Sequence, residues 1–198
     1  MEFQDVVHRR RMVRRYADRP VDPAALDRLL RNATRGPSAG FSQGSEFLAL
    51  SEPDDVALFW TATGAAPDAH NPWLDGMRTA PVVIVPLADE SAYRQRYAEP
   101  DKARAVQAEW AVPYWLVDTG MAALLILQTA VDEGLGACFF GIPPEHVDDF
   151  RAAFGVPPHL TPIGAVTVGH RLDDTGSPGS PSRRQRRADV VHHGRYST

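Results

Sequence analysis

The chain has 198 residues, 43% hydrophobic and 23% charged, with a formal charge of -4, enough for one domain with a sizeable core. That acidic balance argues against a surface built throughout to hold nucleic acid. A single cysteine, Cys138, leaves no internal disulfide and no thiolate-rich metal site.

The first segment, MEFQDVVHRR, sets Phe3, Val6 and Val7 at helical spacing. VDPAALDRLLRNAT predicts a helix capped by Asp22, with Pro23 in its first turn and Leu26, Leu29 and Leu30 as its apolar stripe. RGPSAGFSQGSE reads as a loop, FLAL as a short strand and EPDDVALFWTATG as a short helix. DAHNPWLDGMRTA looks irregular, PVVIVPLA is a strand buried on both faces, and ESAYRQRYAEPDKARAVQAE is polar and surface-like. WAVPYWLVDTGMAALLILQTAVDEG predicts the longest helix, with Pro113 in its first turn. It ends at Gly134 and is apolar nearly all round, so it is expected to run through the core. LGACFFGI and PIGAVTVGHR read as strands, with PPEHVDDFRAAFG between them as a capped amphipathic helix closed by Gly155. From Asp173 the chain is polar, yet Val190, Val191 and Tyr196 need something to pack against, which suits an arm over residues 173–198 that wraps a second subunit. The whole reads as one α+β sandwich domain over 1–198.

No apolar signal core opens the chain, and its longest apolar run, MAALLIL, is seven residues. A soluble, cytoplasmic protein without a membrane partner is therefore expected.

The charge is unevenly placed. His8 to Asp22, HRRRMVRRYADRPVD, holds six arginines, and a second basic cluster, RRQRR, comes late. Nucleic acid, an acidic partner or a buried phosphate would each explain such clusters. No Gly-x-Gly-x-x-Gly follows a strand, and Lys102, the only lysine, is not in a phosphate loop. The histidines lack metal-ligand spacing, so no metal site is expected.

Four pieces in order resemble the flavin-dependent nitroreductase family: RRRMVRRY followed by RPVD; RGPSAGFSQ; TAPVVIV with DTGMAALLILQTAVDEGLGACFFGI; and PIGAVTVGHR with the tail RRADVVHHGRY. The resemblance implies a three-layer sandwich, a central mixed but mostly antiparallel sheet flanked by helices, in an intertwined homodimer. It implies FMN as cofactor, NADPH or NADH as electron donor, and a ping-pong transfer of two electrons to a small planar acceptor such as a nitroaromatic or quinone. Phosphate then becomes the reason for the basic clusters, since guanidinium forks bind it bidentately.

Carried onto this sequence, the resemblance assigns the FMN phosphate to Arg10, Arg11 and Arg14, with Arg184 and Arg186 from the late cluster, within a residue or two. Met12 stands where the family often has Ser. Pro37, Ser38, Ala39 and Gly40 would pass beside the flavin ring, with Ser38 either donating to the flavin or capping its own turn. Cys138, Phe139 and Gly141 would lie against the ring's other face through backbone groups, with Gly136 and Gly141 permitting close approach. Cys138 itself reads as structural, and Asn71 would reach the flavin. Phe41, where many members have Asn, would line the acceptor pocket with Trp73, Tyr114 and Trp115; Trp115 could equally be dimer-core packing. No side chain is assigned as acid or base, because the cofactor carries the redox step. The alternative is a flavin-binding or flavin-storing protein whose cavity is plugged by Phe41, Phe139 and Phe140.

Overall fold

The fold is organised around one strand. β2, Val82–Asp89, is buried along almost its whole length, as its unbroken apolar run requires. Its side chains alternate: Val83, Val85 and Leu87 enter one core, while Val82 and Ile84 enter another. The computed structural model describes residues 1–65, 68–102, 110–172 and 190–196.

Beside β2 lie β1 (Ser45–Leu50), β3 (Gly136–Phe140), β4 (Leu160–Pro162) and β5 (Ala165–Gly169). The sheet runs β1-β2-β5-β3, with β4 also on β2. Its strand pairs are antiparallel, and the one parallel element is an isolated bridge from Met12 to Ala137. β4 and β5 form one interrupted strand because of Pro86. A strand residue points its N–H and C=O to the same side, and Pro86 has no N–H to give. Its carbonyl accepts from Ile163 N–H at 3.1 Å, and the neighbouring strand breaks there, with Gly164 at φ 143°.

Helices cover both faces. α1 (Phe3–Arg9), α2 (Pro23–Ala33) and α6 (Tyr114–Asp132) lie on one side; α3 (Pro53–Ala62), α4 (Pro72–Met77) and α7 (Val147–Phe154) lie on the other, and α5 (Glu90–Ala98) follows β2. This is the expected α+β three-layer sandwich.

Several expectations change in detail. In α1 only Val6 is buried, while Phe3 and Val7 are exposed. In α2 Asp22 accepts from Ala24 N–H at 2.9 Å as foreseen, but the buried stripe is Ala25, Leu29 and Ala33. The small alanines let α2 lie close to α6. The stretch thought irregular contains α4, capped by Asn71, and the one thought wholly surface-like contains α5, whose Tyr93 is fully buried. The predicted helix over 143–154 is a 3-10 turn, Pro144–His146, followed by α7, with no side-chain cap; Gly155 at φ 64° closes it.

α6 departs most. Pro113 precedes it as N-cap, and one face packs on α2 and the sheet. Leu116, Val117 and Leu124, on the other face, are exposed with Gly120. A helix apolar all round is thus only half covered by its own chain. By length and composition alone α6 could cross a membrane, although the runs around Asp118 are too short singly. The buried Asp118, Thr119 and Thr129 on its inner face are bonded within the protein.

Candidate functional site

After α1 the chain extends along the edge of β3. Val13 N–H donates to Ala137 O at 2.9 Å, and the Val13 side chain lies over Gly136, where a Cβ would come within 2.8 Å of it. Gly136 is therefore needed for the N-terminal segment itself. Tyr16 fixes the far end. Its hydroxyl donates to Val13 O at 2.6 Å and meets Thr167 Oγ1 at 2.8 Å, and burial pushes its pKa up.

This anchoring is by backbone and Tyr16, which leaves arginine side chains available. Arg10 and Arg14 are half-buried, and among the described residues neither guanidinium has a hydrogen-bond or ion-pair partner. Arg11 has a local task, donating to Arg10 O at 2.9 Å and to His8 O beyond the end of α1. Met12 is exposed and contributes its backbone to the bridge. Arg184 and Arg186 lie outside the described residues.

Cys138 is buried, and burial pushes its thiol up, against a smaller opposing pull from Arg14. An inert thiol agrees with a structural role, and Arg14 is close enough for its charge to be felt there. Phe139 packs into the α2–α6 core, while Phe140 stacks on Trp60 at 5.5 Å on the other face. Gly141 is exposed, and a Cβ there would meet nothing within 4 Å. Its own chain does not require the glycine, and the space beside it is open.

The second group of residues is the loop Ser38–Gln43. Gly40, Phe41 and Gln43 all have positive φ, at 64°, 59° and 54°, two of them non-glycine, so something must hold the turn in place. Buried Asp118 of α6 does much of this. Its Oδ2 accepts from Ala39 N–H at 2.7 Å and from Tyr93 Oη at 2.7 Å. Ser38 Oγ accepts from Gln43 N–H at 2.8 Å and lies 3.4 Å from Tyr93 Oη. Of the two roles open to Ser38, its geometry shows the turn cap. Arg96 Nε donates to Gly40 O at 3.0 Å, and a Cβ on Gly40 would come within 2.7 Å of the Tyr97 ring. Burial, together with Asp118, pushes the Tyr93 pKa up to about 12, so its phenol remains a donor at neutral pH. Pro37 is exposed at the start of the loop.

Aromatic residues continue from this loop. Trp110 packs edge-on against Tyr97, Tyr114, Trp115 and Tyr93. Tyr114 and Trp115 thus lie near Phe41's loop, as expected. Trp73 does not join them in the same chain: it packs on Phe140 across the sheet. Asn71 caps α4, its Oδ1 accepting from Trp73 and Leu74 N–H at 3.1 and 2.9 Å, which leaves only its amide nitrogen for a ligand.

Two cavities open at the loop. One of about 290 Å³ is lined by Pro37, Ser38, Phe41 and Asp118 among others. It shares Thr34, Gly36, Phe41 and Gln43 with another of about 450 Å³ that also includes Arg31 and Arg35. A larger one, about 870 Å³, lies between Tyr16–Pro20, α3 and Arg78–Pro81 and includes none of the expected site residues. Among the described residues no hydrogen bond, ion pair or cavity joins Arg10–Arg14 to the Ser38–Gln43 loop.

Sequence reasoning missed Asp118, Tyr93 and Arg96. A signal for Asp118 was present: one carboxylate inside WLVDTGMAALL is either a mistake or a buried anchor.

The geometry defines a three-layer α+β protein with two separated groups of ligand-ready residues on opposite faces of α6 and β3. That class has known members. A solved structure from Bacteroides thetaiotaomicron, provisionally named NADH dehydrogenase/NAD(P)H nitroreductase, matches with TM-score 0.73 at 21% identity over 99% of each chain. NfrA1 nitroreductase from B. subtilis gives 0.73 at 19% identity, over 99% of this chain and 75% of that one. In sequence, a protein of Methanothermobacter thermautotrophicus with the same provisional name is 26% identical over 180 residues, 89% of this chain and 81% of its own. The profile of the nitroreductase family matches residues 7–170. The chain belongs to the nitroreductase family and is an oxidoreductase of that type.

Proposed function

We propose that the protein is an FMN-dependent NAD(P)H oxidoreductase that reduces a small planar acceptor, such as a nitroaromatic or quinone, and acts as a cytoplasmic homodimer. The observation that carries this reading is the separation of the two residue groups, combined with the exposed stripe Leu116, Val117, Gly120 and Leu124 on α6. A second copy seated on that stripe would bury it and bring one chain's arginines toward the other chain's loop. Val190, Val191 and Tyr196 are likewise exposed in the single chain, as an arm for a partner would be.

The residues present fit FMN. Arg10 and Arg14 offer unpaired guanidinium groups for its phosphate, and the open space at Gly141 admits a ring against the backbone. Ser38–Gly40, fixed by Asp118, would border the ring from the partner chain. When bound, FMN takes a hydride from the nicotinamide and passes two electrons to the acceptor in a ping-pong cycle. The protein's part is to hold and orient. Arg10 and Arg14 neutralise the phosphate, the Asp118–Tyr93 pair keeps the loop rigid without moving a proton, and Phe41, Tyr114 and Trp115 shield the acceptor from water.

The storage alternative needs an aromatic plug. Phe139 and Phe140 are turned into the two cores, and Phe41 is 75% exposed, so these residues do not form one in the chain. The test is the visible spectrum of the purified protein, before and after anaerobic NADPH or NADH. Flavin bands that bleach are expected. Bands that persist with both donors would favour storage, and no bands even after added FMN would overturn the arginine assignments.

A further inference from the structure

The cavity of about 450 Å³ at the end of α2 is lined by Arg31, Thr34, Arg35, Gly36, Phe41 and Gln43. It falls within the roughly 300–1,000 Å³ of small-molecule clefts. Its two arginines are unlike others on the surface. Arg28, on the same helix, donates twice to Glu133 at 2.6 Å. Arg94, Arg96 and Arg151 each have a carboxylate partner. Arg31 and Arg35 have none among the described residues, and no carboxylate lines the cavity with them. The helix C-terminus favours one cation in its last turn, where Arg31 lies. It does not account for Arg35, two residues beyond the end of α2.

Opposite the arginines stands Phe41, held at positive φ with its ring 75% exposed. Leaving an aromatic ring in water on a left-handed backbone costs stability twice, once in hydration and once in strain. Two free guanidinium groups facing an exposed ring make the complement of a phosphate monoester joined to a purine. The same cavity shares its Gly36 and Phe41 wall with the one at the Ser38–Asp118 loop.

We infer that Arg31 and Arg35 bind the 2′-phosphate of the dinucleotide donor, with Phe41 against its adenine, so that the enzyme prefers NADPH to NADH. This rests on the oxidoreductase reading above.

The test uses the full chain and two measurements. The first is calorimetric titration with 2′-phosphoadenosine 5′-diphosphate and, separately, ADP, which needs no turnover. The phosphorylated probe should bind at least about tenfold tighter, and Arg31→Gln with Arg35→Gln should abolish the difference. The second is the NADPH:NADH ratio of kcat/KM, which should fall about tenfold or more in the double variant and stay put in an Arg94→Gln control. Equal binding of the two probes would overturn the inference, as would an unchanged ratio. So would a double variant that loses FMN affinity instead, since the arginines would then serve the cofactor's phosphate. If neither donor bleaches the flavin, the oxidoreductase reading fails, while the titration still decides whether this cavity reads a 2′-phosphate.

Discussion

The two groups of site residues are held in opposite ways. Along β3, Arg10–Tyr16 is fixed by main-chain bonds and the Tyr16 hydroxyl, and its charged side chains are left free. At Ser38–Gln43 the side chains themselves do the holding: Asp118, Tyr93, Ser38 and Arg96 are all committed to the turn. The first arrangement suits a segment that must offer charge to a ligand. The second suits one that must present a fixed shape. Substitutions should therefore separate the two, with ligand affinity lost from the first and stability from the second.

The largest effect is expected at Asp118. Asp118→Ala leaves Ala39 N–H and the Tyr93 hydroxyl unpaired in a buried place, at about 1–3 kcal/mol each. Urea unfolding should show a loss of about 3 kcal/mol or more, and Asp118→Asn, which keeps one acceptor, should lose less. Next come Arg10→Ala and Arg14→Ala. Each should weaken FMN binding about tenfold or more, since a hydrogen bond to a charged group contributes about 1.5–3 kcal/mol, while the urea midpoint of the flavin-free protein stays within error. A large stability loss there would erase the contrast between the regions.

Tyr93 sharpens the contrast through pH. Its pKa is raised from 10.0 to about 12 in the folded protein. The unfolded chain therefore releases this proton first as pH rises, and stability declines. The contribution is complete below pH 10 and is lost progressively up to about pH 12. Tyr93→Phe should flatten part of that alkaline decline, and burial of Tyr16 adds a similar slope of its own. The smallest effect belongs far from both regions. Arg28→Ala breaks an exposed pair with Glu133 and should cost no more than about 1 kcal/mol.

Much of this architecture could be read from residue order. The continuous PVVIVPLA run gave a strand buried on both faces, and Asp22-Pro23 gave the start of α2, because both signals are local. α4 and the burial of Tyr93 could not be read that way. Six residues hold too little periodicity to register as a helix, and Tyr93 is buried by Asp118 and Trp110, which are distant in sequence. The half-covered state of α6 was hidden for a different reason. An all-round apolar helix looks the same whether its own chain or another supplies the second side. For the site, the resemblance found the arginines and the loop, but the carboxylate that holds the loop sits in another motif, some 79 residues away.

Asp118 faces inward on the same rigid helix that turns Leu116, Val117 and Leu124 outward. Whatever shifts α6 by a fraction of a turn also shifts the carboxylate that holds Ala39. A small molecule or miniprotein gripping the outer stripe would thus disable the enzyme from behind, with no need to compete with a nucleotide or an acceptor. Inhibitors sought only by displacement from the flavin cavity would pass over that surface.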